Sequence, residues 1–271
     1  MTALKQETIE KTSVFLSDPQ VLFREGIHFI LSGEDDFEVT GETTSNEDAY
    51  SQIIANPPNV AILSAQDVKV SGQEMTSRLK RNLPSLSVIL ILSAKESPGI
   101  FSALKAGASA CVTKDTDPDF LLDIIRIVAQ GSSPIIDEIL TPEIAAMAVD
   151  EFKEAANLNQ QVDNLLSVLT ATESQLLNSI AAGNDREQIQ VKLGLTEDGI
   201  RRQLRMITNK LISNERSRAL VEAGQRSMTA PIFRSAAIQT KSRENYVTRA
   251  EFNEFKEQFM ERLKAMLGEL A

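Results

Sequence analysis

Arg201, Arg202 and Arg205 are the residues whose type and spacing most directly suggest chemistry with a partner. They sit where Ile200, Leu204, Ile207 and Leu211 recur at spacings of four, three and four. That recurrence predicts a helix with one apolar stripe against a core. At about 100° per residue, the three arginines and Asn209 fall on the opposite, outward arc. Charged helix faces are often merely solvated, but this one follows a turn at Gly194-Leu195, a cap at Thr196 and an acidic first turn at Glu197-Asp198. Guanidinium groups on the outward side of such a helix can enter a major groove, bonding guanine edges or clamping phosphates. Thr196 belongs to the same candidate surface, and Lys192 and Lys210 are candidates for phosphate contacts.

Other chemistry has less support. Cys111 is the one cysteine and His28 the one histidine, so neither an internal disulfide nor a structural zinc site is expected. Cys111 reads as core and His28 as a partly buried helix residue. No paired carboxylates, nucleophile–base pair or Gly-rich phosphate loop stands out, so the expectation is a non-enzymatic protein without cofactor or metal. No stretch approaches the roughly 20 apolar residues of a membrane span, and the first residues lack a signal peptide's apolar core. The expected setting is the cytoplasm, with no membrane partner.

The net charge of −10 would argue against nucleic acid if it were evenly spread. Residues 1–140 carry 11 basic against 20 acidic residues, and 141–169 carry 1 against 5. Residues 170–230 carry 9 against 7 and 231–271 carry 7 against 6. The arginine helix thus lies in the mildly positive part, which predicts modest non-specific affinity focused on a few contacts.

These residues need elements to position them. Five short apolar runs, Val14–Leu16, Phe37–Val39, Val60–Leu63, Val88–Leu92 and Ala110–Val112, alternate with helical patterns at 19–32, 46–56, 71–82, 97–106 and 117–130. Strict alternation implies a parallel sheet covered on both faces, and runs that are apolar throughout suit its central strands. Residues 141–168 read as a linker helix opening on Pro142, polar from Lys153 to Gln161 and exposed over part of its length. An all-helical block follows over 169–226, then a linker over 227–245 and a last helix within 246–271. On that helix Phe252, Phe255 and Phe259 repeat eleven residues later as Leu263, Met266 and Leu270. An eleven-residue repeat stays nearly straight. Its stripe either folds back on its own domain or, the reading preferred here, pairs with another subunit.

Residues 13–133 resemble the receiver domain of NarL/FixJ-class response regulators, a flavodoxin-like (βα)5 fold. The run from Leu16-Ser17-Asp18-Pro19 to Arg24-Glu25-Gly26 matches that frame, as do the loop closing at Gly72, Ser93-Ala94, Ala106-Gly107-Ala108 and Lys114-Asp115. The resemblance implies a pocket with Asp18, Ser93 and Lys114 as remnants. It also implies that Ser64 stands where the class has its phosphorylated aspartate, and Pro19 where it has a second acid. Phosphoryl transfer needs Mg²⁺ held by carboxylates. With Asp18 alone left, a receiver independent of phosphorylation is expected, Asp67 being a weak substitute three residues along a loop. Ser93 and Lys114 either hydrogen-bond within the pocket, for instance Lys114 with Asp18, or recognise another anion. Ser64 reads as inert rather than as a phosphorylation site.

Residues 169–226 resemble the LuxR-type helix-turn-helix domain, through Leu169-Thr170 with Glu173, then Leu176-Leu177, Ile180 and Ala181-Ala182-Gly183. The resemblance puts Arg201, Arg202 and Arg205 where that family's recognition helices meet DNA. The expectation is therefore a transcription regulator of response-regulator type that binds double-stranded DNA as a homodimer or higher oligomer, with a sensor kinase or other regulatory protein as a further partner. The alternative is a protein-interaction module of a two-component pathway with no specific DNA binding.

Overall fold

The five apolar runs form strands β1 (Thr12–Ser17), β2 (Phe37–Thr43), β3 (Val60–Ser64), β4 (Ser87–Leu92) and β5 (Ala110–Thr113) in a computed structural model that describes residues 11–67, 69–159 and 166–229. The strands pair in the order β2-β1-β3-β4-β5, all parallel. β3 and β4 are buried along their whole length, which is why their sequences are apolar without alternation.

Helices α1 (Val21–Ser32), α2 (Asn46–Ala55), α3 (Gly72–Asn82), α4 (Ser97–Ala106) and α5 (Pro118–Ala129) connect the strands. Ile27 and Leu31 of α1 and Leu121 and Ile125 of α5 pack with Val14, Leu16, Ile62 and Ile91 on one face. Ile53, Met75, Leu79, Phe101 and Leu104 of α2–α4 pack with Phe15, Ala61, Leu63 and Leu90 on the other. Ser45, Ser71 and Asp117 cap α2, α3 and α5 by accepting backbone N–H bonds, so the polar residues before these helices define where they begin.

Beyond the sheet come a 3-10 turn, Pro134–Leu140, and α6 (Pro142–Asn159). The all-helical block is α7 (Ala171–Ala181), α8 (Arg186–Leu193) and α9 (Glu197–Thr229). α9 continues past 226 into the segment expected to be a linker. α6 exposes one side and buries the other. Lys153 and Glu154 are exposed, while Ile144, Ala145, Ala148, Phe152 and Ala155 are buried. Ile144, Ala145, Ala148 and Phe152, with Ile135 and Ile139 of the 3-10 turn, join one sheet face to Leu176, Leu177, Ile180, Ile207 and Leu211 in a single apolar cluster. Residues through Ser227 accordingly form one compact unit.

Ion pairs reinforce this junction. Lys105 on α4 lies 3.1 Å from Glu151 of α6 and 3.1 Å from Glu215 of α9, and Arg218 of α9 lies 2.5 Å from Glu151. Among the described residues no helix is long and apolar enough to cross a membrane. The Phe252-to-Leu270 stripe lies outside the described residues.

Candidate functional site

Parallel strands in adjacent register bring their carboxyl ends to one edge of the sheet, and four of the expected residues meet there. Asp18 follows β1, Ser64 ends β3, Ser93 follows β4 and Lys114 follows β5. Asp18 is 2% exposed. Lys114 Nζ lies 3.0 Å from its Oδ1 and 2.9 Å from its Oδ2, and the ammonium also sits 4.8 Å from the centre of the Phe23 ring. A buried carboxylate demands such a cation, so the pair is internally balanced. Asp18 Oδ1 also accepts the Gln20 N–H at 2.7 Å. Ser64 Oγ donates to the Gln66 carbonyl at 3.2 Å, and Gln66 Nε2 donates to Ser93 Oγ at 3.0 Å.

Asn46 is a pocket residue that the sequence did not announce. It is fully buried at the first position of α2. Its Nδ2 donates to the Ser64 carbonyl at 2.9 Å and the Val70 carbonyl at 3.0 Å, and its Oδ1 accepts from Ser17 Oγ at 3.0 Å. Nothing local marks it out, because its partners come from β1, the end of β3 and the loop after it. Asp67 faces the same loop. Its oxygens accept the backbone N–H groups of Asn46, Lys69 and Val70 at 2.9, 2.8 and 3.3 Å. Burial would raise its pKa, but these three N–H groups and the Lys69 charge together hold it below the usual carboxylate value.

The loop has no slack at Gly72. A Cβ there would meet the Ser64 carbonyl oxygen at 2.5 Å and Ala65 Cα at 2.8 Å, so a side chain would force the backbone apart. The donor set does not fit Mg²⁺. Asp18 is neutralised by Lys114, Asp67 is turned into its own loop, and no group of three metal-ligating side chains exists among the described residues. His28 pairs with Glu42 in a part-buried contact, and burial pushes the partly buried Cys111 thiol up to about 11.

Residues 14–126 match the family described as the response regulator receiver domain. The first domain is a receiver domain. The chain is also similar beyond the receiver domain. Over 230 residues, spanning 81% of this chain and 95% of the relative, it is 26% identical to the transcriptional regulatory protein DegU of Brevibacillus brevis. It is 28% identical to the nitrate/nitrite response regulator protein homolog of Haemophilus influenzae, across 78% of this chain and 96% of that one. The NarL signal receiver domain of Mycobacterium tuberculosis is 28% identical, with a TM-score of 0.44 over 45% of this chain and 98% of that domain.

The helical block after the receiver domain is assembled by caps. Thr170 and Glu173 form a reciprocal capping box on α7, and Asp185 and Gln188 form another on α8. α8 ends at Gly194 in the left-handed region, φ 64°, where a residue without Cβ is favoured. Thr196 Oγ1 then accepts the Gly199 N–H at 3.1 Å to start α9. Ile200, Leu204, Ile207 and Leu211 are all buried, whereas Arg201, Arg202, Arg205 and Asn209 are exposed. The arginine face is therefore open to solvent and is not covered by the receiver domain.

Glu197 Oε1 sits 3.3 Å from Arg201 and 3.3 Å from Arg186, a surface pairing of about 0.3–0.5 kcal/mol that does not remove Arg201 from the face. Neither Arg202 nor Arg205 pairs with a carboxylate among the described residues. Lys192 is exposed at the end of α8. Met206, one turn beyond Arg202, is 48% exposed, and Val191 on α8 is 86% exposed; neither was singled out from the sequence.

Lys210 is a correction. Its Nζ donates to Glu173 Oε2 at 2.6 Å and to the Val168 carbonyl at 3.0 Å. The Glu173 side chain is only 3% exposed, so the ammonium neutralises a buried carboxylate and is not free for a phosphate.

Proposed function

We propose that this protein is a sequence-specific DNA-binding regulator of transcription, acting by binding rather than catalysis, in which α9 is the reading helix. The observation that carries the reading is the exposed arginine face of α9, directly after a capped turn and opposite a fully buried apolar stripe. The similarity to transcriptional regulatory proteins beyond the receiver domain supports it. Met206 adds an apolar group that suits a thymine methyl. A mobility-shift series on fragments of the source genome at several salt concentrations tests it. A sequence-preferring complex that weakens steeply with salt is expected; equal binding to all fragments would overturn the reading.

In this proposal the receiver domain works without phosphorylation, Ser64 standing in place of an aspartate acceptor. The closed polar pairs around Ser64 and the misfit to Mg²⁺ support this. Acetyl phosphate with Mg²⁺ is expected to leave the intact mass unchanged. A base-labile gain of one phosphate in residues 14–126 would contradict it.

We also place self-association in the C-terminal stripe from Phe252 to Leu270, on its spacing alone. Two copies linked there would read two half-sites and gain affinity through effective concentration. Cutting the chain after Thr229, where α9 ends, is expected to shift sedimentation toward monomer and weaken operator binding without loss of either domain's fold. A truncated protein that stays dimeric at micromolar concentration would move the contact elsewhere.

A further inference from the structure

A cleft of about 670 Å³ lies where α3 and α4 of the receiver domain face the later part of α9. Arg81 at the end of α3 and Arg216 on α9 line it, and Lys80, next to Arg81 in the chain, lines the neighbouring cleft that also reaches Arg216. Other charges of the cleft are already matched. Arg78 lies 2.5 Å from Glu74, and Lys105 and Glu215 are 3.1 Å apart. Among the described residues no carboxylate pairs with Lys80, Arg81 or Arg216. Arg216 Nη2 reaches only the Lys80 carbonyl, at 3.5 Å, and its Nε is buried without a hydrogen-bond partner.

An unmatched buried guanidinium donor beside two further cations is unfavourable for the protein alone. Burial first, and the neighbouring Arg216 second, lower the pKa of Lys80; burial and then Arg81 lower that of Arg216. A multivalent anion would satisfy the donor and neutralise the repulsion together. Guanidinium forks suit phosphate oxygens in particular. The remaining wall supplies hydroxyls from Ser77 and Ser102 but no aromatic ring on which a base could stack.

We propose that this cleft binds a compact, multiply charged phosphate compound, a diphosphate or phosphorylated polyol rather than a nucleotide held by its base, with Arg81 and Arg216 as its main ligands. Such a ligand would bridge α3 of the receiver domain to α9 and hold the two helices together. The site is independent of the DNA-reading face.

Inorganic pyrophosphate is the probe, added to the full-length chain at constant ionic strength set with chloride. Saturable heat in calorimetry and a rise in melting temperature of at least about 2 °C near saturation are expected. Arg216→Gln and Arg81→Gln should each weaken pyrophosphate binding about tenfold or more, while Lys11→Gln, an exposed lysine just before β1, should not. Should Arg216→Gln fail to fold, the exposed Arg81 still provides the test. No saturable binding, or binding that Arg81→Gln leaves unchanged, overturns the proposal.

Discussion

Replacing Arg201, Arg202 and Arg205 together with alanine is expected to reduce binding to a preferred site to the non-specific level while leaving helical content intact. All three side chains are exposed, and the packing of α9 rests on Ile200, Leu204, Ile207 and Leu211, which the substitutions do not touch. Alanine also has the highest helix propensity, so α9 itself should not weaken. A base-reading arginine is worth about 1–3 kcal/mol, and about 1.4 kcal/mol is a factor of ten in affinity. Singly, each substitution separates the two roles. Loss of a base contact relaxes preference at one base pair, whereas loss of a phosphate contact lowers the salt slope by about 1. Arg201 must release Glu197 to engage DNA, so Glu197→Gln is expected to strengthen binding slightly. If the triple variant shifts the same fragments at the same concentration, this face of α9 is not the reading surface.

Lys210→Met is expected to destabilise the helical block by about 3 kcal/mol or more, because it strands the buried carboxylate of Glu173. Urea unfolding near neutral pH would register the loss. Adding Glu173→Gln to that variant should return part of it, since removing both charges leaves no ion to desolvate. The pH dependence separates the two proteins. In the native protein, burial pushes the Glu173 pKa up, but hydrogen bonds from Lys210 and Thr170 outweigh it and hold the folded value below the ordinary 4.5. A lowered folded pKa contributes stability that is present above the unfolded value and lost as pH falls through the folded one. The native block therefore loses this contribution only below about pH 4.5. Without Lys210, its hydrogen bond and charge no longer oppose burial while the bonds from Thr170 remain, so the folded pKa rises relative to the native one and the variant's stability deficit should narrow as pH falls through the carboxylate range. A Lys210→Met protein as stable as the native one at pH 7 would show that this pair carries little of the domain's stability.

The chain's own pattern determined the elements and their order. Buried parallel strands need side chains that are apolar on both faces, so Val60–Leu63 and Val88–Leu92 announced β3 and β4 within a residue of their ends. Helix periods and capping residues are equally local, which is why α9, its buried stripe and its arginine face could be read along one dimension. The receiver frame placed Asp18, Ser64, Ser93 and Lys114 at one sheet edge for the same reason: in a parallel sheet every strand ends on the same side. Only tertiary structure decided who partners whom. Lys210 meets Glu173 across 37 positions, and Asn46 joins Ser17, Ser64 and Val70. Asp67 turned out to hold its loop instead of facing the pocket as a free carboxylate. α6, expected to be a connector exposed over part of its length, buries Ala148 and Phe152 in the cluster that joins the sheet to the helical block. Propensity and period are carried by neighbours in the chain, whereas the partner of a charge or the covering of a helix face depends on residues that meet only after the chain has folded.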